Sequence, residues 1–375
     1  MGYLPRARWL AAVVPLVAAL ALLDAGPASA RALRPFHDPP PSLFGINTGT
    51  YDDDYARFLR DVPTARQLGA RWVEFSGANI KFRRGRPDFG QMDRQVNRAR
   101  AQGLGVMMAL GGIEGACSVR PRPRDVTTCP PKTRRELRVY TAYLRRLLGH
   151  FRGRVRYYES WLEPNHASFW PPAPSPGTYA RLLLAQYQIF RSTDRHRNKL
   201  IFAGVGGPDL PYLEAVLRAL DGGRAFDRVG YHAYHYPPTA PEVANSSLST
   251  SGTSQSLDWP GELLAYEQAF TAHGYGRPKM WLTEFGWPGN AANSGDPYHP
   301  NEQSQADALA RAYRLLRSDA RLSFVEAAFA FNLRDYKLNF SSPDPEFFGH
   351  YGLLRNDFSS KPAANVFVHF AGGGL

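Results

Sequence analysis

The alternation of short β-rich runs with longer helical periods constrains this chain more than any other feature. The β-like runs lie at 42–47, 70–76, 105–110, 155–161, 199–205, 228–234, 279–284 and 324–331. Helical patterns fill 54–68, 91–102, 132–151, 179–195, 212–220, 260–273 and 303–318, and a last one, 363–370, follows the final run. Strands that alternate with helices pair in parallel, because each helix carries the chain back to the starting end of the sheet. Eight such pairs in 375 residues predict a (β/α)8 barrel, whose closure removes both sheet edges. A doubly wound open sheet is the competing arrangement. Its mark would be a Gly-rich phosphate cradle, but Gly204-Val205-Gly206-Gly207-Pro208 lacks the dinucleotide spacing and reads as a tight turn.

The first thirty residues lie outside that pattern. Arg6 and Arg8, an apolar stretch from Trp9 to Leu23 and Ala28-Ser29-Ala30 form an export signal, so 1–30 is expected to be removed and 31–375 to form a single barrel domain beginning at Arg31. The apolar stretch is shorter than the ~20 residues of a spanning helix, which disfavours a permanent anchor. The expected location is extracytoplasmic, at a bacterial envelope or beyond it. In that setting Cys117 and Cys129, the two cysteines of the chain, are expected to form a disulfide across a Pro-rich loop. The nearby sequence lacks the His and carboxylate spacing of a metal site, and no metal or other cofactor is expected.

The formal charge of +12 becomes +11 once Arg6, Arg8 and Asp24 leave with the signal. Much of the excess sits on 132–156, where Arg134, Arg135, Arg138, Arg145, Arg146 and Arg152 lie largely off the apolar face. With no nucleic-acid motif beside it, this reads first as a solvated helix face, and nucleic acid is not an expected partner.

In a parallel barrel the chemistry gathers where the strands end. The fourth run leads into Tyr158-Glu159-Ser160-Trp161-Leu162-Glu163-Pro164-Asn165 and the seventh into Trp281-Leu282-Thr283-Glu284-Phe285-Gly286-Trp287-Pro288. Glu163 and Glu284 are thus expected to face each other across the barrel mouth. Two opposed carboxyl groups, one protonated and one charged, are what glycosidic cleavage requires. Burial and a second carboxylate would raise the acid, and hydrogen bonds would keep the nucleophile ionised. Aromatic rings near the strand ends, Trp161, Trp170, Tyr234, Tyr236, Trp287 and Phe331, offer either sugar platforms or core packing. His232 is placed to bond a carboxylate or a hydroxyl, and Asn165 and Asn332 are further polar candidates.

Trp161-Leu162-Glu163-Pro164-Asn165 and Thr283-Glu284-Phe285-Gly286-Trp287 resemble the two signatures of the clan A glycoside hydrolases, the retaining barrel enzymes that include family 39-like and family 5 cellulase-like members. Phe226 to Tyr234 is similar to their sixth-strand pattern, and Phe347 to Leu354 with Lys361-Pro362-Ala363 to their closing segment. The resemblance implies a glycosidase acting on O-glycosyl compounds of a poly- or oligosaccharide by double displacement. It makes Glu284 the nucleophile and Glu163 the acid/base and places His232 and Tyr234 at the sugar next to the nucleophile, while position at the strand ends adds Trp161, Asn165, Trp287 and Asn332 as candidate sugar contacts. A monomer is expected, without stable membrane insertion after signal removal.

Two positions depart from the resemblance. Leu162 stands where the family carries an Asn whose amide serves the sugar 2-hydroxyl, and Glu74 stands where the clan often has an Arg. An altered sugar, a replacement donor such as Asn79 or Asn165, or a protein that binds glycan without cutting it would each account for Leu162. A non-catalytic glycan-binding or cell-wall protein, or a transglycosylase, therefore stands beside the hydrolase. The sequence selects neither sugar nor linkage.

Overall fold

The computed structural model describes residues 38–48, 55–77, 80–83, 85–113, 115–118, 128–194, 197–235, 241, 249–250, 253–254, 257–292, 299–336 and 349–375, with backbone alone at 55–58, 194, 249–250 and 253–254. The expected export signal, Asn79, Tyr236, Phe347, Phe348 and most of 237–256 lie outside these residues.

Eight parallel strands close into a barrel: β1 (Gly45–Asn47), β2 (Trp72–Ser76), β3 (Gly105–Ala109), β4 (Tyr157–Glu159), β5 (Lys199–Phe202), β6 (Arg228–His232), β7 (Met280–Phe285) and β8 (Val325–Ala330). Each pairs with its sequence neighbours, and β1 closes on β8 through Gly45 opposite Phe329 and Ile46 opposite Ala330. The outer helices are α1 (Tyr55–Gln67), α2 (Gly90–Ala101), α3 (Arg134–His150), α4 (Pro176–Asp194), α5 (Leu210–Leu220), α6 (Trp259–Ala272), α7 (Glu302–Ser318) and α8 (Pro362–Ala371). The predicted (β/α)8 barrel is therefore the observed one. No described helix is long and apolar enough to cross a membrane.

Alternation along the strands builds the barrel interior in layers. The lower layer holds Trp72, Met107, Tyr157, Ile201, Trp281, Ala327 and Phe329, all buried. Tyr157 stacks on Trp281 with centroids 4.6 Å apart, and Trp72 meets both edge-on. Small residues make room for large ones: a Cβ on Gly45 would strike the Phe329 ring, and one on Gly105 would strike the Trp72 indole. Two residues further along the same strands the inward positions turn polar, with Asn47, Glu74, Glu159, His232 and Thr283 all buried. This polar layer is the floor of the candidate site.

Helix α3 shows how the outer ring is specified. Thr133 and Glu136 form a reciprocal cap, with Glu136 N donating to Thr133 Oγ1 at 3.2 Å and Thr133 N donating to Glu136 Oε2 at 2.8 Å. Tyr140, Tyr143, Leu144, Leu147 and Leu148 face inward, while Arg134, Arg135, Arg138, Arg145 and Arg146 are exposed. Cys117 and Cys129 form the expected disulfide in the loop that leads into this helix.

Candidate active site

Glu163 and Glu284 meet at the barrel mouth. A carboxylate oxygen of each and a ring nitrogen of His232 lie within 4.8 Å of one another. His232 ends β6 and is fully buried, with Nδ1 2.9 Å from Glu163 Oε1 and 3.5 Å from Glu284 Oε2. Tyr234 donates its hydroxyl to Glu284 Oε2 at 2.6 Å. Below them Glu159 Oε1 accepts from Thr283 Oγ1 at 2.7 Å and from Gly204 N at 2.8 Å, and lies 3.8 Å from His232 Nε2.

The backbone is bent to present the first carboxylate. Glu163 has φ of 36°, a left-handed conformation that costs a non-glycine residue about 1–3 kcal/mol. Its N–H donates to Gly204 O at 3.1 Å, and Asn165 holds the same loop by donating to Gly206 O and accepting from Gly206 N, each at 3.0 Å. The glycines read as a tight turn have another cause at two positions. A Cβ on Gly204 would collide with the His232 ring, and one on Gly206 would sit 2.8 Å from the Glu163 carboxyl carbon. Only Gly207 of the three has the positive φ, 65°, that a turn glycine supplies.

Burial raises the carboxyl groups, and His232 decides how far each follows. Burial lifts Glu284 to about 7, opposed by the charge of His232 and the Tyr234 hydrogen bond, and reinforced by Glu163. Burial also acts on Glu163, but the hydrogen bond and charge of His232 outweigh it and hold that group below the ordinary carboxylate value. Burial would lower His232, yet Glu284, Glu163 and Glu159 together raise it to about 10. The resting site therefore holds an imidazolium between carboxylates. The expectation that Glu163 would be the raised carboxyl is reversed, because sequence placed no cation 2.9 Å from it.

Of the expected sugar contacts, His232 and Tyr234 reach the carboxylates directly, whereas Asn165 clamps the β5 loop. Asn332, just past β8, is 7% exposed and leaves its Oδ1 without a hydrogen-bond partner. Trp161 and Trp287 are both 1% exposed, the core-packing side of the two roles expected for them. Trp161 packs edge-on against Trp170 and donates to Phe169 O at 2.9 Å, and Trp287 packs against Trp259. An aromatic wall lies elsewhere, where Tyr234, Phe331, Tyr336 and Tyr351 form one cluster, Tyr234 meeting Tyr351 at 5.4 Å. Tyr336 carries no motif, its signal being position just beyond β8, whereas Tyr351 falls in the closing segment that resembles the family's. Asp335 accepts from Lys361 Nζ at 2.7 Å, and Arg334 pairs with Asp61 at 2.9 Å.

Glu74 is part of the floor. It pairs in register with Asn47, whose Nδ2 donates both to Glu74 Oε2 and to Thr283 O at 3.1 Å. Burial, with Glu284 and Glu159 nearby, raises its carboxyl to about 8.

No family model matches the chain, and no curated protein does. Solved structures share its fold. A family 39 glycoside hydrolase from the gut symbiont Bacteroides cellulosilyticus superposes with TM-score 0.66 at 22% identity, over 88% of this chain and 64% of that one. A family 39 β-xylosidase from Caulobacter crescentus gives 0.63 at 17% identity, over 90% and 73% of the two chains. A subfamily 5_18 protein from Bifidobacterium longum subsp. infantis gives 0.62 at 16%, over 89% and 79%. The chain thus spans just under two thirds of the first of these. It shares the barrel architecture of the clan A glycoside hydrolases that its motifs resemble.

Proposed function

We propose that this protein is a glycosidase that hydrolyses O-glycosidic bonds of a poly- or oligosaccharide with retention, acting outside the cytoplasm as a monomer. The observation that carries the reading is the approach of the Glu163 and Glu284 carboxylates within 4.8 Å at the strand ends. Retaining enzymes hold their carboxyl groups ~5–5.5 Å apart, whereas inverting ones leave ~6.5–9.5 Å for a water.

In this reading a Glu284 oxygen attacks the anomeric carbon as the bond to the leaving oxygen breaks, and that oxygen takes a proton from Glu163. Water then attacks the glycosyl ester, giving its proton to Glu163 and freeing Glu284. The resting charges supply the working acid without a change in proton count. Moving the proton from His232 Nδ1 to Glu163 Oε1, across 2.9 Å, turns an ion pair into a neutral acid and a neutral imidazole. A sugar entering the cleft displaces water and makes the neutral pair the cheaper one.

The test is release of new reducing ends from a panel of bacterial, fungal and plant glycans by the chain from Arg31, with Glu284→Gln alongside. Release by the wild type and at least a thousandfold less by the variant is expected. Equal release by both would overturn the assignment.

A further inference from the structure

Resting on the glycosidase reading, the cleft floor carries information about the sugar. Four carboxyl groups, Glu74, Glu159, Glu163 and Glu284, are gathered there, and His232 is the one cationic side chain within ion-pair distance of any of them among the described residues. The arginine excess of the chain lies elsewhere, much of it on the outer face of α3. Four donors of the floor are already used, Asn47 Nδ2 by Glu74 and Thr283, Tyr234 OH by Glu284, His232 Nδ1 by Glu163 and Thr283 Oγ1 by Glu159, while the buried His232 Nε2 has no hydrogen-bond partner and lies 3.8 Å from Glu159 Oε1.

Two amide acceptors are left over beside the carboxyl oxygens. Asn47 Oδ1 and Asn332 Oδ1 are buried without a hydrogen-bond partner, on side chains 1% and 7% exposed. The orientation of the Asn47 amide is forced, because its other end faces Thr283 O, a pure acceptor. On the loop side, Leu162 precedes the acid/base and offers a half-buried apolar surface where an amide would have supplied a donor. A neutral sugar brings hydroxyls that both donate and accept. An ammonium group brings only donors and a positive charge, which is what a floor rich in acceptors and carboxyl groups is able to satisfy.

We propose that the subsite beside Glu284 selects a sugar bearing a free ammonium group, with Glu74 releasing its proton to solvent on binding and pairing with the ammonium as a carboxylate. Glu74 sits on the wall between β1 and β3, joined to Thr283 through the Asn47 amide, so it reaches the cleft from the side of the nucleophile. N-acetylation would remove the charge and two of the donors while adding bulk, and a plain hydroxyl would lack the charge. Both are therefore rejected relative to the amine.

Calorimetric titration of the chain from Arg31 with monosaccharides tests this without requiring turnover or a particular linkage. The probes are 2-amino-2-deoxyglucose and 2-amino-2-deoxygalactose, each against its N-acetyl derivative and its 2-hydroxy parent. The expected result is at least tenfold tighter binding of one amine than of its two counterparts, and collapse of that preference in Glu74→Gln. Equal or weaker binding of the amines, no binding of any probe, or a preference that survives in Glu74→Gln overturns the proposal. The outcomes separate it from the glycosidase reading. Amine preference without release of reducing ends from any glycan, amino-sugar polymers included, leaves the subsite and removes the enzyme, whereas release from neutral glycans without amine preference does the reverse.

Discussion

His232 Nδ1 stands 2.9 Å from Glu163 Oε1, close enough for a proton on this imidazolium to pass to the carboxyl that serves as the acid in the proposed reaction. The same nitrogen is 3.5 Å from Glu284 Oε2, so one imidazolium sets the charge of both carboxylates. His232→Gln keeps a polar side chain but no titrating proton. The loss of its charge leaves burial unopposed at Glu163 and raises Glu284 above its value of about 7. The expected result is a fall in kcat/KM of roughly a hundredfold or more, the contribution of a positioned proton-transfer group, with the acidic limb of the pH profile moved upward. An unmoved limb would show that His232 has no hold on the nucleophile.

Tyr234 acts on Glu284 through a single short hydrogen bond of 2.6 Å. A donated hydroxyl favours the carboxylate, so its removal favours the protonated form. The proposed reaction needs Glu284 ionised, and activity should therefore decline as pH falls through about 7. In Tyr234→Phe that decline should begin at a higher pH, by about one unit, with the alkaline plateau less affected than the rate at pH 6. Profiles of kcat/KM for the two proteins, measured on one substrate, give the comparison directly.

Glu74 makes a prediction about stability alone. Its folded carboxyl is raised from 4.5 to about 8, so between those values the folded protein binds a proton that the unfolded chain has released. The stabilisation from this proton is complete below about 4.5 and is lost as pH rises toward 8, at up to ~1.4 kcal/mol per pH unit. Glu74→Gln keeps the shape and the Asn47 contact but cannot titrate. Denaturant unfolding at pH 5, 6, 7 and 8 should show the variant gaining on the wild type with each step. A constant difference across that range would mean that Glu74 is ionised when folded.

The barrel was legible because its period is carried by many residues at once, and all eight predicted strands overlap observed ones. The two carboxylates were legible from the motifs after the fourth and seventh strands. The floor was harder to read. Glu159 looked like one residue of a motif, and its inward direction follows only from alternation with Tyr157 along β4. The burial of Trp161 and Trp287 was not legible, because strand-end position alone does not say which way a ring turns. Here the Trp161 indole is held against Trp170 and Tyr140, below the surface. Gly204 signalled a turn in sequence, while its use is to leave room for the His232 ring, a contact between β5 and β6 that no local pattern encodes. The charge of Glu163 failed for the same reason, since it depends on a partner 69 positions away.

Leu162 supplies the last prediction, because it divides the possible sugars. It is half-buried beside Glu163, and its bridge to Gly204 fixes the backbone so that a substitution changes chemistry more than geometry. Leu162→Asn would place an amide donor where the apolar side chain now lies. Hydrogen bonds to a sugar 2-hydroxyl strengthen toward the transition state and are worth several kcal/mol in this reaction type. A substrate with a free 2-hydroxyl should therefore gain, with kcat/KM rising roughly tenfold, about 1.4 kcal/mol of transition-state stabilisation. A substrate with an ammonium group there would meet the amide through its carbonyl oxygen, one more acceptor among those the floor already supplies, so the rate should change little. Measured side by side on an amine-bearing glycoside and its 2-hydroxy counterpart, the variant should narrow the preference or invert it. A parallel gain on both would mean that Leu162 acts by packing against Glu163 and takes no part in choosing the sugar.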